Sequence, residues 1–324
     1  MISVVIPHYN RSLLLKDALQ SIQNQTFQDW EVIIVDDGSE EEQIATIFEY
    51  IQEEKRFTLL KRASPKKGPS ACRNQGVVNA KGEFVVFLDS DDLLKNFCLQ
   101  QRYEVIGNNP TIGIAVFLIE NFTRIPGDLQ TIFNSEFSKE NLAGAFLENN
   151  NPWQTMAPIW RTSFFRTVGG FDENLLFMED PDLHLRALKT DIDKLKICYD
   201  KPADCFYRIH HNDKTKSGFY LNSILYRILF FKKIVLEEEG SVFYIQHKEQ
   251  IRKGMLNLLN NFLYYRVNEF RDLFKQFAIL VSESKLFTDL EMWRIFALTS
   301  IGNHENRILK KMKLKGLCYR LLPK

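Results

Sequence analysis

Four short polar clusters carry the chemistry for which this chain can be read: Pro7-His8-Tyr9-Asn10, Asp36-Asp37-Gly38-Ser39, Asp89-Ser90-Asp91-Asp92 and Glu179-Asp180-Pro181-Asp182. In the third, three carboxylates within four residues repel one another unless a cation lies among them. Asp89 and Asp91 are two apart, so in an extended chain both point to the same side. That arrangement suits a hard divalent ion that keeps waters and shares its other positions with a substrate diphosphate. The competing reading is a solvated acidic loop capping a helix from Leu93 onward. Asp36-Asp37-Gly38-Ser39 is equally an Asx turn followed by a helix cap. Arg73 offers a fixed positive charge and a donor fork for phosphate, or an ordinary surface salt bridge. Asp180-Pro181 has the form of an N-cap and a first helical residue.

The elements that must position these clusters alternate. Residues 2–6, 32–35, 58–60 and 84–88 are short apolar runs and read as strands. Between them Leu15, Ala18, Leu19 and Ile22, then Ile44, Ile47, Phe48 and Ile51, recur at helical spacing. Gly68-Pro69 opens a third helix that runs to Asn79 and stops at Gly82. Strands spaced roughly 27 residues apart leave room for a crossover helix each time, which predicts a parallel sheet in an α/β fold. Ligands of such sheets sit beyond the carboxyl ends of the strands, where three of the four clusters fall. Farther on, residues 114–119 read as a strand, Ser138 as the cap of a helix carrying Leu142, Phe146 and Leu147, and Gly169-Gly170-Phe171-Asp172 as a turn.

Composition narrows the function classes. Lys and Arg number 42 against 41 Asp and Glu, so the net charge of +1 gives no overall field for nucleic acid. The five cysteines are scattered and never spaced as CxxC, which argues against structural zinc or a disulfide framework and for a reducing, cytoplasmic compartment. MISVVIPHYN lacks a positive n-region and reads as a strand, not a signal peptide. The first strand is followed by PHYN, neither the glycine fingerprint of a dehydrogenase nor the glycine-rich basic loop of a nucleotidyltransferase.

The strings SVVIPHYN, SIQNQTFQDWEVIIVDDGS and GPSACRNQGVVNAKGEFVVFLDSDD closely resemble the pattern of glycosyltransferase family 2 over residues 1–95. A weaker likeness continues through VGGFDENLLFMEDPDLHLRA to residue 212. The resemblance implies an inverting enzyme with a glycosyltransferase A-type fold, Rossmann-like with a mostly parallel central sheet flanked by helices. It implies a nucleoside-diphosphate-sugar donor, best matched to UDP, and a divalent cofactor, Mn2+ or Mg2+. By position, Pro7 and Tyr9 line the nucleoside pocket and Asp37 accepts from the base. Ser90 lies near the ribose, Asp89 and Asp91 form the metal and diphosphate element, and Arg73 binds the donor. Asp180 is the implied general base, with Glu179 orienting the acceptor or Asp180 itself. His8 departs from the small residues common at its position and is expected only to rim the pocket. Phe206-Tyr207-Arg208-Ile209-His210-His211 resembles an element whose histidine contacts metal or diphosphate; His210 aligns best and His211 is its understudy. Trp153 and Trp160 are candidate stacking partners for an acceptor sugar, against the plainer reading of core.

The expected organisation is a catalytic region over residues 1–215, with a donor half to residue 95 and an acceptor half beyond it, then a helical region over 216–324. There, Leu221, Ile224, Leu225, Ile228 and Leu229 make one apolar stripe, and Met255, Leu258, Leu259, Phe262 and Leu263 another. They are expected to pack on the catalytic domain or on a second subunit as a homodimer. The last stretch, ILKKMKLKGLCYRLLPK, carries six basic residues and no acid. It reads as a solvated or docked tail, or as a peripheral contact with an anionic membrane at its inner face, where a lipid-linked acceptor would be met. For the acceptor, the resemblance suggests a bacterial surface glycan. A catalytically inactive nucleotide-sugar binder of the same fold is the alternative function.

Overall fold

Strand β1 (Ile2–His8) is central because every residue from Ile2 to Ile6 is fully buried. The computed structural model describes residues 1–210, 217–264 and 271–302 together with Leu321. His211 and all of the basic stretch but Leu321 lie outside the described residues. Two compact units divide the chain: residues 1–136 with 151–212, and residues 137–150 with the C-terminal part.

In the first unit, β1 is flanked by β2 (Trp30–Asp36) and β4 (Phe84–Phe87), with β3 (Phe57–Lys61) beyond β2, all parallel. Helices α1 (Ser12–Gln23), α2 (Glu41–Ile51) and α3 (Pro69–Asn79) make the crossovers. The short β5 (Leu93–Leu94) follows the acidic cluster, so no helix starts at Leu93; the helix α4 begins only at Cys98 (Cys98–Ile106). The apolar run 114–119 is not one strand. It splits at Phe117-Leu118 into β6 (Ile114–Val116) and β7 (Ile119–Phe122), which enter different sheets.

With β8 (Thr131–Ile132), β9 (Pro158–Arg161), β10 (Leu195–Ile197) and β11 (Cys205–Arg208), the sheets are complete. The large sheet has the order β10-β6-β9-β4-β1-β2-β3, in which β9 alone runs antiparallel to its neighbours. The small sheet has the order β5-β11-β7-β8. Arg102 of α4 and Asp204, just before β11, are both wholly buried and paired through two hydrogen bonds of 2.8 and 2.7 Å. Arg102 also donates to the carbonyls of Met156 and Pro158, so the cost of burying its charge is offset on every side.

The second unit contains α5 (Lys139–Leu147), α8 (Ser217–Glu238), α9 (Val242–Tyr264), α10 (Arg271–Ser284) and α11 (Asp289–Gly302); α6 (Thr162–Val168) and α7 (Glu179–Asp191) belong to the first. Ser138 stands at the N-cap position of α5 but makes no side-chain cap bond. The expected stripe of α8 is rotated: Ile224, Ile228, Phe231 and Val235 are buried while Leu221 is exposed, because the phenylalanines offer more apolar surface than the leucines. On α9, Met255, Leu258 and Leu259 are buried as expected.

Helix α3 lies unusually close to β1. A Cβ on Gly76 would stand 2.2 Å from Cγ1 of the buried Val5. Glycine therefore serves packing here at the cost of helix propensity. Gly76→Ala is expected to lower stability by about 1–3 kcal/mol despite the better helix former. A shift of the urea midpoint to higher denaturant would contradict this packing.

Candidate active site

The carboxyl ends of β1, β2 and β4 and the N-terminus of α3 surround a cleft of about 420 Å³. Its lining joins residues far apart in sequence, among them Pro7, Tyr9, Asp37, Arg73, Asp89, Ser90, Asp91, Glu179 and His210. Tyr9 is 57% exposed and leaves a ring face free for a planar ligand.

The pair after β2 divides its roles. Asp36 folds back on its own turn, accepting from the backbone N–H groups of Gly38 and Ser39 at 2.9 and 3.0 Å and from the ring of His8 at 3.1 Å. Burial works to raise its carboxyl, but the bonds from His8, Ser39 and Gly38 outweigh that and hold it down at about 2. Asp37 turns to the cleft, held by Arg62 and by the Gly68 N–H at 2.9 Å. The Asx-turn reading thus fits Asp36, while Asp37 lines the cleft. His8 does more than rim the pocket: it is buried, and the Arg11 N–H donates to its Nε2, leaving Nδ1 to donate toward Asp36.

Residues 89–92 form a turn rather than an extended segment, with Asp92 N–H bonded to the Asp89 carbonyl at 3.1 Å. Asp89 and Asp91 still face one cleft, but each has found its own cation. Asp89 accepts from Arg73 at 2.6 Å. Asp91 Oδ2 is shared by Arg11 and by His210 Nε2, the latter at 2.6 Å. The third acid, Asp92, is buried and pushed well above the carboxylate range, first by burial and then by Asp89 and Asp91. It accepts the Arg208 N–H at 2.8 Å, while Arg208 Nε donates to the Asp91 carbonyl at 2.9 Å. These bonds fasten the turn to the end of β11 and so bring His210 to Asp91.

Arg73 is 3% exposed. Beyond Asp89, its Nη1 stands 3.6 Å from Glu179, and its Nε and Nη1 make no hydrogen bond among the described residues. A buried guanidinium with unused N–H groups on a cleft is a ready site for an anion. Burial works against its charge, but Asp89, Asp180 and Glu179 together hold it firmly protonated.

Glu179 and Asp180 begin α7, after Met178 at φ 67°, a left-handed conformation that a side chain of this size rarely adopts. The N-cap is thus Met178, not Asp180. Glu179 lines the cleft. Asp180 accepts from both the N–H (2.9 Å) and the hydroxyl of Thr155 and is not among the lining residues. Burial pushes Asp180 up to about 6, with Arg73 pulling down, Asp89 adding to the rise and the Thr155 N–H opposing it. Burial and then the Asp180 charge push Glu179 up to about 8, against Arg73. Both thus titrate above the ordinary carboxylate range.

Trp153 and Trp160 correct the expectation of acceptor stacking. Both are fully buried, and Trp160 lies in β9 stacked on His184, so neither presents a face to a sugar. Three lining or supporting residues escaped the sequence reading: Arg11, Arg208 and Thr155. Arg11 follows the strand-end cluster directly and Arg208 lies within the quoted histidine element, so adjacency was their signal; Thr155 had none.

Among the described residues no three His, Cys, Asp or Glu side chains cluster as a metal site. The chain offers a carboxylate and an imidazole on one point, Asp91 and His210, with Asp89 nearby on the same turn. That donor set fits a divalent ion that takes its remaining ligands from a diphosphate and water.

The fold and site define a glycosyltransferase with a glycosyltransferase A-type fold. The chain belongs to glycosyltransferase family 2, whose family model (Glycosyl transferase family 2) matches residues 3–166. A GalNAc(5)-diNAcBac-PP-undecaprenol beta-1,3-glucosyltransferase from Campylobacter jejuni is 40% identical over 234 residues, 70% of each chain. The S. aureus TarS 1-349 structure in complex with UDP-GlcNAc superposes with a TM-score of 0.62 at 19% identity, covering 98% of this chain and 89% of that one. The mannosyltransferase PcManGT from Pyrobaculum calidifontis, in complex with GDP-Man and Mn2+, gives 0.53 at 15% identity, covering 99% and 85%.

Since Arg73 lowers the two acids that begin α7, Arg73→Met is expected to move the titrations of Glu179 and Asp180 to higher pH. Carboxyl NMR of the two residues reads this directly, and unmoved midpoints would contradict the electrostatic link.

Proposed function

We propose that this glycosyltransferase transfers a sugar, with inversion, from a UDP-sugar to a hydroxyl of a glycan or lipid-linked acceptor. The observation that carries the proposal is the buried Arg73, which lines the same cleft as Tyr9, Asp37 and the Asp89–Asp91 turn and whose Nε and Nη1 make no hydrogen bond among the described residues. Tyr9 stacks on the base against Pro7, Asp37 accepts from it, Ser90 meets the ribose, and Arg73 binds the diphosphate. The UDP-GlcNAc bound to TarS and the lipid-linked acceptor in the name of the Campylobacter relative support the donor and acceptor classes. Residues 1–95 are the donor half and 96–215 the acceptor half. The basic C-terminal segment is suited to an anionic lipid surface, where such an acceptor would lie.

Asp91 and His210, with Asp89, would hold Mn2+ or Mg2+. Such an ion, when bound, neutralises charge on the leaving diphosphate. The protein's own part is to orient and to move a proton. Asp180, fixed by two bonds from Thr155, accepts the proton of the acceptor hydroxyl as that oxygen attacks the anomeric carbon. Glu179, between Arg73 and Asp180, orients the acceptor. Arg73 holds the departing diphosphate in line.

Two measurements test this. UDP at about 100 times its Kd should raise Tm by roughly 5 °C with Mn2+ present. The rise should shrink in Asp91→Asn; a rise with GDP and none with UDP would overturn the base assignment. Turnover gives the second test. A general base works only when ionised, so kcat/KM should climb with pH through about 6, where Asp180 titrates, and level off above it. Asp180→Asn should lower kcat by about 10²–10⁴-fold. Retention of activity in that variant, with loss in Glu179→Gln, would move the base to Glu179.

A further inference from the structure

Arg11 holds Asp91 where a bound metal would compete with it. Its guanidinium pairs with Asp91 Oδ2, the same oxygen that meets His210 Nε2. A divalent ion on Asp91 would stand close to this guanidinium, and like charges so close repel. The two arginines of the cleft differ in how firmly they are held. Arg73 has 4% of its side chain exposed and is fixed by Asp89, Glu179 and the ring of Phe171. Arg11 has 46% of its side chain exposed, and Asp91 is the ion-pair partner recorded for it. With the arginine half-exposed on a long side chain, this pair is held less firmly than that of Arg73. Its backbone, in contrast, is anchored by the N–H bond to His8 Nε2 at 3.2 Å, which keeps the side chain rooted at the cleft.

We propose that Arg11 is an exchangeable counter-ion of Asp91: it occupies the cation position before ligands arrive, is displaced by the divalent ion, and then engages the donor diphosphate. The inference rests on the metal reading above and goes beyond it, since it makes metal and nucleotide binding interdependent. Metal alone must compete with a tethered guanidinium for Asp91. Nucleotide removes the competitor by giving Arg11 phosphate oxygens, which suit a guanidinium better than a shared carboxylate oxygen. By linkage, metal must then raise nucleotide affinity by the same factor that nucleotide raises metal affinity.

The test is Mn2+ binding, followed by the EPR signal of free Mn2+, with and without UDP. It compares full-length wild type, Arg11→Ala and Arg11→Gln, the last keeping a side chain of similar reach should the alanine variant fold poorly. Removing the competitor should tighten Mn2+ binding in the absence of UDP by about two- to fivefold, the strength of an ion pair whose arginine stands half in water. The factor by which UDP tightens Mn2+ should fall by the same about two- to fivefold, since with UDP bound Arg11 no longer competes for Asp91. Unchanged Mn2+ affinity without UDP, or unchanged coupling, in a folded variant overturns the role of Arg11. Wild type that takes up no Mn2+ even with UDP overturns the metal reading itself, a distinct result.

Discussion

Asp89, Asp91, Glu179 and Asp180 converge on one region from two distant stretches of chain, and such a gathering of carboxylates stands only if positive charge is buried with it. Arg73 supplies that charge. It bonds Asp89, faces Glu179 and lowers the titration of both Glu179 and Asp180. Its position follows from packing: Gly76 lets α3 settle onto β1 at Val5, which sets the start of that helix at the carboxyl edge of the sheet. A contact between a glycine and a valine therefore governs where the guanidinium stands.

The small sheet has a complementary task. The buried pair of Arg102 and Asp204 ties α4 to the start of β11, and at the other end of that strand Arg208 binds both Asp92 and the Asp91 carbonyl. His210 reaches Asp91 because the strand is pinned at both ends. The protein thus spends two buried acids, Asp92 and Asp204, on geometry, leaving Asp89 and Asp91 facing the cleft.

This division explains why the members of an acidic motif can be misjudged from sequence. Three acids within four residues signalled a cation, and the cleft holds Arg11, Arg73 and His210 against two of them. Which acid turns inward was not legible, because burial of Asp92 depends on Arg208, more than a hundred positions away. The tryptophans failed for a related reason. An aromatic side chain is equally suited to a sugar face and to a core, and β9 placed Trp160 inside the sheet.

Local pattern sufficed for the elements around the first four strands, since apolar runs and helical spacing are properties of neighbours in sequence. The turn chemistry at Asp36, the glycine turn before Phe171 and the polar clusters at strand ends were fixed there as well. Tertiary structure alone decided the split of residues 114–119 between two sheets, the start of α7 at Glu179 and the seating of Asp180 on Thr155. It also decided that Glu179 and Asp180 titrate far above ordinary carboxylates. Ionisation depends on desolvation and on charges brought from elsewhere in the chain, and neither is encoded at the residue itself.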